Sequence, residues 1–341
     1  MARRQIDSNV GNWASAGLLL LGIVACTLAY LVMSAVLKPR DSIPDFDGIA
    51  IAEKEGVSLE REKGGGCCRG IPKLELWGAA VKWGTEHKFN TAEECCNSCK
   101  AMCSGKDGPC LCNSWVFCGD RKACGHQFGE CWLKKQSDAL APQRQDAGSK
   151  VMWTSGLVFG KGEGIIGLET EHGTLHIKLS LVQLHPDSAP FSVEYILELL
   201  TLRHCAGCQL YRAEGRGNSW DKKGNHIKEA SFGPPYALIQ GTLEAAGTSF
   251  KKIHGEGCQS VRRGAVAWVG SGPEFFISLA NHVEWKQHYT VFGSVLPEDM
   301  ETLEKIAQLP TKPDVWNSVN VSVLESSKPI SIQRIQTDHT H

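Results

Sequence analysis

The sequence predicts a mainly β protein with three parts: one N-terminal transmembrane helix, a small disulfide-rich α+β domain, and a closed β-barrel capped by helices. Three observations support this prediction. Residues 8–37 contain no Asp, Glu, Lys or Arg, eleven cysteines fall between Cys67 and Cys131, and strand-like alternation recurs within residues 160–312. The formal net charge is only −1, which provides no strong field for nucleic acid, so we expect no nucleic-acid partner.

The uncharged segment at residues 14–37 is long enough to cross a bilayer, which takes about 20 apolar residues. The apolar core of a cleavable signal peptide spans only about 7–15 residues, so a retained signal anchor is favoured over cleavage. Lys and Arg are balanced on its two sides, so the cysteines decide the orientation, because disulfides persist outside the cytosol. The sequence therefore predicts a single-pass type II membrane protein of the Golgi, ER or plasma membrane, with lumenal or extracellular C-terminal domains.

Changes in composition divide the chain into six predicted segments. Residues 1–13 form a cytosolic tail, and the proline-containing, acidic residues 38–66 follow the anchor at 14–37 as a stem. The cysteine-rich domain takes residues 67–155 and the strand-rich domain residues 160–312. Polar residues and two prolines near its start predict a flexible tail over residues 313–341.

The density of cysteines is typical of a disulfide framework, because so short a stretch cannot bury enough apolar surface to fold on that alone. The alternative is a zinc site, but the Cys-x-x-Cys pair at residues 96–99 does not recur at a regular distance. Eleven is odd, so one cysteine pairs elsewhere or stays free. The candidates for disulfides, including three cysteines of the C-terminal domain, are Cys67, Cys68, Cys95, Cys96, Cys99, Cys103, Cys110, Cys112, Cys118, Cys124, Cys131, Cys205, Cys208 and Cys258.

The cysteine-rich region resembles a PAN/Apple module in three stretches: Asn90 to Cys99, Cys112 to Phe117, and Gly129 to Lys134. Thr91 followed by Glu94 predicts a capped helix start, and Trp115-Val116-Phe117 predicts a strand. The resemblance implies a non-catalytic module that binds protein or carbohydrate. The module contains four tryptophans, Trp77, Trp83, Trp115 and Trp132. They either line that binding surface or fill a small core, and filling the core is the favoured alternative.

The C-terminal domain opens with a predicted hairpin over residues 165–179, in which positions 175, 177 and 179 are apolar. A helix begins near Ala189-Pro190, because proline suits the first helical turn. Strands are predicted at residues 236–239, 275–278 and 290–293, and an amphipathic helix at residues 298–309. Strands flanked by helices predict a barrel capped at its ends.

An ordered set of short motifs in this domain resembles the cyclophilin family of peptidyl-prolyl isomerases over about 150 residues. These motifs are Ala189-Pro190, Leu210-Tyr211-Arg212, Ile239-Gln240-Gly241, Glu274-Phe275-Phe276-Ile277 and Val291 to Val295. The resemblance implies a closed barrel that binds proline-containing protein segments and isomerises X–Pro bonds. With the predicted lumenal placement, we expect its substrates to be secretory-pathway proteins.

The barrier to rotation about a peptide bond is about 18–20 kcal/mol, and lowering it requires a hydrogen-bond donor beside the twisted amide, with no cofactor and no metal. By resemblance, Arg212 is that donor, since a guanidinium is permanently charged and has several donors in a rigid fork. Gln240 orients the substrate backbone. The implied walls of the proline pocket are Phe276 with Phe275 behind it, Trp285 at the rim, and Tyr236 and Leu238.

The chain departs from the family pattern at several of these positions. Tyr211 and Tyr289 replace histidines, and Glu274 replaces a glutamine. Ala237 and Leu238 stand where the family has larger apolar residues, and no Ala-Asn pair occurs near Val269-Gly270. These departures predict reduced activity, and they leave open a non-catalytic protein- or carbohydrate-binding adaptor.

Two further motifs carry weaker predictions. Cys205-Ala206-Gly207-Cys208 is a Cys-x-x-Cys, which suggests redox chemistry when it begins a helix, but here it follows a predicted helix. A bridge between its two cysteines, or from either to Cys258, is the favoured alternative. Asn320-Val321-Ser322 is an acceptor motif for N-glycosylation.

Overall fold

The computed structural model describes residues 68–104, 109–160, 162–179, 189–202, 205–246, 250, 252–253 and 255–335. The predicted cytosolic tail, membrane anchor and stem lie outside the described residues, as does Cys67. Within those described ranges, no helix has the length and apolar character needed to cross a membrane.

The cysteine-rich domain is built on a five-stranded antiparallel sheet and a separate two-stranded pair. Its strands are β1 (Ile71–Pro72), β2 (Leu74–Leu76), β3 (Ala79–Lys82), β4 (Ser114–Phe117), β5 (Cys131–Lys135), β6 (Arg144–Ala147) and β7 (Thr154–Leu157), and its helices are α1 (Ala92–Lys100) and α2 (Arg121–Cys124). The sheet order is β1-β7-β4-β5-β3, and β2 pairs with β6. The predicted strand over residues 115–117 is confirmed as part of β4.

Helix α1 begins with the predicted capping box. The Thr91 hydroxyl accepts a hydrogen bond from the Glu94 amide at 3.2 Å, and the Glu94 carboxylate accepts one from the Thr91 amide at 3.1 Å. These bonds satisfy amides that have no partner within the helix. The helix buries Cys95, Cys96 and Cys99 on one face, which positions them for bridges to the sheet.

Disulfides hold α1 to its surroundings. The bridges are Cys68–Cys96, Cys95–Cys131, Cys99–Cys112, Cys103–Cys110 and Cys118–Cys124, with Cys205–Cys208 in the C-terminal domain. Cys258 is also disulfide-bonded. The cysteines considered as zinc ligands therefore form disulfides, and their thiolates are not available to bind zinc.

In its described residues, the C-terminal domain has one ten-stranded antiparallel sheet and two α-helices. The strands are β8 (Ile165–Thr170), β9 (Gly173–Leu179), β10 (Gln209–Glu214), β11 (Leu238–Thr242), β12 (Ala265–Trp268), β13 (Glu274–Ser278), β14 (Val291–Val295), β15 (Thr311–Trp316), β16 (Val319–Pro329) and β17 (Ser331–Arg334), and the helices are α3 (Pro190–Leu199) and α4 (Met300–Ile306). Their order is β15-β16-β10-β11-β13-β12-β14-β9-β8-β17. The predicted opening hairpin is confirmed as β8 and β9, and the helix begins at Pro190 as expected.

Among the strands that the structure describes, the predicted closed barrel is not found as a hydrogen-bonded ring, because the order ends at two different strands, β15 and β17. The chain itself links distant parts of the sheet. The end of β16 pairs with β10 through Lys328 and Leu210, and β17 pairs with β8 through Ile332 and Leu168. A single residue, Ile330, separates β16 from β17.

The flexible tail predicted from residue 313 is wrong over residues 313–334, which belong to β15, β16 and β17 apart from short connections. Asn317 and Ser318 have φ values of 46° and 65° and form the tight connection between β15 and β16. Val321 and Val323 of β16 are buried although the segment is polar on average. Average composition therefore concealed a half-buried strand pair.

The core of the C-terminal domain follows from strand alternation. Leu210, Ile239, Phe275 and Ile277 point to the interior and pack with residues of both helices, including Ile196 of α3 and Leu303 and Ile306 of α4. Salt bridges connect this domain to the cysteine-rich domain: Arg144 with Glu194 at 3.0 Å, and Arg334 with Asp138 at 2.5 Å.

Candidate functional site

Arg212, Gln240 and Phe276 lie in one row across three neighbouring strands. Arg212 on β10 is the register partner of Gln240 on β11, and Gln240 is the register partner of Phe276 on β13. Register partners direct their side chains to the same face of a sheet. The Nη1 atom of Arg212 donates to the Oε1 atom of Gln240 at 2.9 Å, so the structure brings together the predicted donor, the orienting amide and the pocket wall.

The guanidinium of Arg212 also has a carboxylate partner that the sequence reasoning missed. Glu214 follows two residues later on β10, so it shares the same face. Its Oε1 atom lies 3.0 Å from Nε and 2.9 Å from Nη2 of Arg212, and both side chains are buried. Glu214 also accepts hydrogen bonds from the amides of Tyr236 and Ser322. The charge of Arg212 is therefore compensated inside the protein.

Two aromatic rings cover Arg212, whose exposed fraction is 0%. The Cζ atom lies 5.3 Å from the ring centroid of Trp316 and 5.7 Å from that of Tyr236. Trp316 ends β15, so the hairpin that replaced the predicted tail reaches over the site. These two rings shield the guanidinium of Arg212 from solvent.

A second carboxylate, Glu274, joins the network through Tyr211. The Tyr211 hydroxyl donates to Oε2 of Glu274 and accepts a hydrogen bond from Nε2 of Gln240 at 2.9 Å. Burial raises the pKa of Glu274, although its hydrogen bonds with Tyr211 and Thr242 act in the opposite direction. Burial also raises the pKa of Tyr211, and the nearby negative charge of Glu274 adds to this shift. The replacements at residues 211 and 274 thus form one hydrogen-bonded pair beside Gln240.

The predicted pocket walls form an aromatic cluster at the other end of the row. The ring of Phe276 lies 5.7 Å from that of Trp285 and 5.1 Å from that of Tyr289, in edge-to-face arrangements. Tyr236 and Leu238 pack in the same cluster. Phe276 is 2% exposed, so its neighbours close the pocket floor in this conformation.

Phe275, predicted to lie behind Phe276 as a pocket residue, does not belong to this cluster; of the two phenylalanines, one packs in the core and one in the cluster. Successive strand residues point to opposite faces, so Phe275 packs in the main core while Phe276 lies on the outer face. The position expected to carry the Ala-Asn pair is also changed. Trp268 on β12 fills the core there and stacks on Phe292 at 4.2 Å.

His282 supports Trp285 from behind. The two rings stack in parallel with centroids 3.6 Å apart, and Nδ1 of His282 lies 2.7 Å from Oε1 of Glu284. Burial lowers the pKa of His282, although Glu284 acts to raise it. The neutral imidazole is therefore the form that this packing favours.

Sequence signals for the missed residues differ in strength. Glu214 could have been found by extending a strand through Arg212, because a spacing of two on a strand places both side chains on one face. Trp316 could not have been found, because its contact with Arg212 depends on a hairpin inside the segment that was predicted to be a flexible tail. His282 stands next to a loop, where periodicity gives no guidance.

The remaining predicted residues occupy separate places. Cys205 and Cys208 are bridged in a turn directly before β10, so this motif does not begin a helix. Asn320 is exposed on β16. In the cysteine-rich domain Trp115 is fully buried, as core filling predicts, whereas Trp77 and Trp83 are 52% and 62% exposed.

Comparison with known proteins identifies the C-terminal domain. Residues 165–328 match the family described as cyclophilin type peptidyl-prolyl cis-trans isomerase/CLD. No curated protein matches the chain. These residues therefore form a cyclophilin-type domain, as the ordered motifs predicted, and this supports the assignment of the domain to a peptidyl-prolyl isomerase family.

Solved structures similar to this chain include two of a cyclophilin type peptidyl-prolyl cis-trans isomerase from Cryptosporidium parvum. One was determined in the presence of the dipeptide Ala-Pro; it has 16% identity and a TM-score of 0.34, and the match covers 51% of this chain and 99% of that one. The other has 17% identity and a TM-score of 0.32, with the same coverage of both chains.

Proposed function

We propose that the C-terminal domain binds X–Pro segments of secretory-pathway proteins and catalyses their cis–trans isomerisation at a reduced rate. The row of Arg212, Gln240 and Phe276 carries this proposal, since it combines a guanidinium, an orienting amide and an apolar wall on one face. The family match over residues 165–328 supports the same reaction class.

The chemistry requires that a guanidinium N–H reach the twisted amide of the substrate. Arg212 is positioned by Gln240 and Glu214, which fix the guanidinium plane without a cofactor. Trp316 covers this plane, so a bound substrate must replace the indole ring. The free energy needed to move the ring reduces the rate relative to a site with an exposed arginine.

The second candidate function is a non-catalytic adaptor that binds proline-containing segments. The ion pair of Arg212 with Glu214 favours it, because a compensated guanidinium stabilises developing negative charge less well. In this case the aromatic cluster around Phe276 binds proline, and Arg212 serves to hold the strands together.

Two-dimensional NMR exchange spectroscopy on an Ala-Pro peptide with the full chain distinguishes these functions. The isomerase proposal expects exchange above the buffer rate for wild type and a loss of at least tenfold for Arg212→Ala. Arg121→Ala, a change in the cysteine-rich domain, is the matched control and retains the wild-type rate. Peptide binding without any accelerated exchange supports the adaptor, and absence of both binding and exchange excludes both functions.

We propose further that the anchor at residues 14–37 places both domains in the lumen, where the PAN/Apple-like module recruits a protein or glycan ligand through Trp77 and Trp83. The bridged cysteines and the exposed side chain of Asn320 support an oxidising compartment that permits glycosylation. Expression in animal cells tests the orientation: removal of N-glycans shifts the mobility of wild type but not of Asn320→Gln. An unshifted wild type that is digested by protease added to sealed vesicles contradicts the lumenal placement.

A further inference from the structure

The net charge of the candidate site is set by Glu274, a residue that the proposed reaction itself does not require. Arg212 and Glu214 form a buried ion pair, so together they contribute no net charge. Glu274 is the next charged side chain of the network; its partner Tyr211, and Gln240, which donates to Tyr211, are neutral groups. A carboxylate therefore dominates the charge at this end of the row.

The position of Glu274 relative to the proline pocket follows from strand geometry. It lies two residues before Phe276 on β13, so both side chains are on the outer face. Same-face neighbours on one strand are about 6.6 Å apart. An extended peptide advances at most about 3.6 Å per residue, so this distance corresponds to about two residues along a bound peptide, or to one residue and the reach of a long side chain.

Glu274 is also accessible enough to contact a ligand. Its side chain is partly exposed, whereas Arg212, Gln240 and Phe276 are all buried. The exposed carboxylate of Glu244 lies close enough to raise the pKa of Glu274 further, after the larger effect of burial. Both carboxylates belong to the same end of the site, since Thr242, the register partner of Glu274, is two residues from Glu244.

On this geometry we propose that Glu274 determines substrate specificity, selecting X–Pro segments that carry Lys or Arg one or two residues from the proline. The inference rests on the proposed function, because it assumes that proline occupies the aromatic cluster. The cationic side chain of the substrate lies beside the Glu274 carboxylate, while Tyr211 holds that carboxylate in place.

Titration calorimetry with the full chain tests this proposal. The probes are capped alanine peptides with one central proline and a single Lys, Gln or Glu placed one or two residues before or after it. At one of these positions we expect Lys to bind about threefold more tightly than Gln, the size of a partly exposed ion pair, and Glu to bind most weakly. Raising the salt concentration from 0.05 to 0.5 M brings the Lys-to-Gln ratio close to one, because salt screens exposed charges.

The variant Glu274→Gln preserves shape and a hydrogen-bond acceptor for Tyr211, and it brings the Lys-to-Gln ratio close to one at low salt. Glu301→Gln, a change of an exposed carboxylate on α4, is the matched control and retains the wild-type ratio. Equal binding of Lys and Gln peptides to wild type, or a preference that persists in Glu274→Gln, overturns this inference and leaves the proposed function standing. Failure of every peptide to bind wild type excludes the proposed function itself.

Discussion

The indole ring of Trp316 lies over the guanidinium of Arg212, with the Cζ atom of the arginine 5.3 Å from the ring centroid. Trp316 is presented by a tight hairpin whose second strand, β16, is hydrogen-bonded to β10, the strand that carries Arg212. β15 pairs with β16 and forms one edge of the sheet. β15, and with it the Trp316 ring that covers Arg212, is therefore paired on one side only, which permits the ring to move without disrupting the core.

Truncation of the Trp316 side chain should increase activity. A cation–π contact contributes about 0.5–2 kcal/mol, and each 1.4 kcal/mol corresponds to a tenfold change. We expect Trp316→Ala to increase the rate of X–Pro exchange, or the peptide affinity of a non-catalytic domain, about three- to tenfold. NMR exchange and calorimetry on the full chain measure the two quantities.

Val315→Ala is the control for this experiment, since Val315 neighbours Trp316 on β15 and is 62% exposed. It should leave both quantities unchanged. A loss of affinity in Trp316→Ala would show that the indole contacts the substrate instead of blocking it.

Glu214 should be essential for stability. Removing one partner of a buried ion pair leaves an uncompensated charge and costs about 3–5 kcal/mol. We expect Glu214→Gln to lower the free energy of unfolding by that amount, measured by urea denaturation of the C-terminal domain within the full chain. The surface change Glu301→Gln should cost less than about 0.5 kcal/mol.

The double change Arg212→Met with Glu214→Leu should recover most of the free energy of unfolding that Glu214→Gln loses. A loss as large as that of Glu214→Gln alone would contradict the assigned role of charge compensation.

The sequence predicted the parts of this fold that depend on local pattern. The capping box of Thr91 and Glu94 and the hairpin of β8 and β9 follow from spacing, whereas Arg212, Gln240 and Phe276 are identified as site residues only through the resemblance to the cyclophilin family. The sequence did not predict features that depend on tertiary contacts. The position of Trp316 over Arg212 requires a hairpin in a polar segment, and the placement of Phe275 in the core requires the register of β13, which its two adjacent phenylalanines leave open.

The disulfides should contribute to stability according to the loop that each closes. Cys95 and Cys131 are 36 residues apart, whereas Cys118 and Cys124 are six apart. In the chain-entropy treatment these bridges contribute about 4 and about 2 kcal/mol. We expect replacement of both Cys95 and Cys131 by Ala to lower the unfolding midpoint of the cysteine-rich domain more than the same change at Cys118 and Cys124. Equal losses in denaturation measurements would contradict the loop-length argument.

His282 should make the C-terminal domain less stable in mild acid. Burial holds its pKa below the ordinary value of 6.5, and His226 acts in the same direction while Glu284 opposes it. The unfolded chain therefore takes up a proton as the pH falls below 6.5, whereas the folded imidazole stays neutral until the pH reaches its lower pKa. Stability present above pH 6.5 is consequently lost as the pH falls through this interval.

The measurement is the urea midpoint at pH 7.5, 6.5 and 5.5 for wild type, His282→Gln and the exposed control His126→Gln. Glu256 and Glu274 have pKa values raised by burial, so their contributions run in the opposite direction, and the comparison between variants isolates His282. We expect wild type and His126→Gln to lose more stability between pH 6.5 and 5.5 than His282→Gln does. Because the folded imidazole stays neutral in this interval, its stack on Trp285 and the peptide affinity of wild type should not change over it. Parallel pH profiles for all three proteins would show that the imidazole does not remain neutral in the folded state.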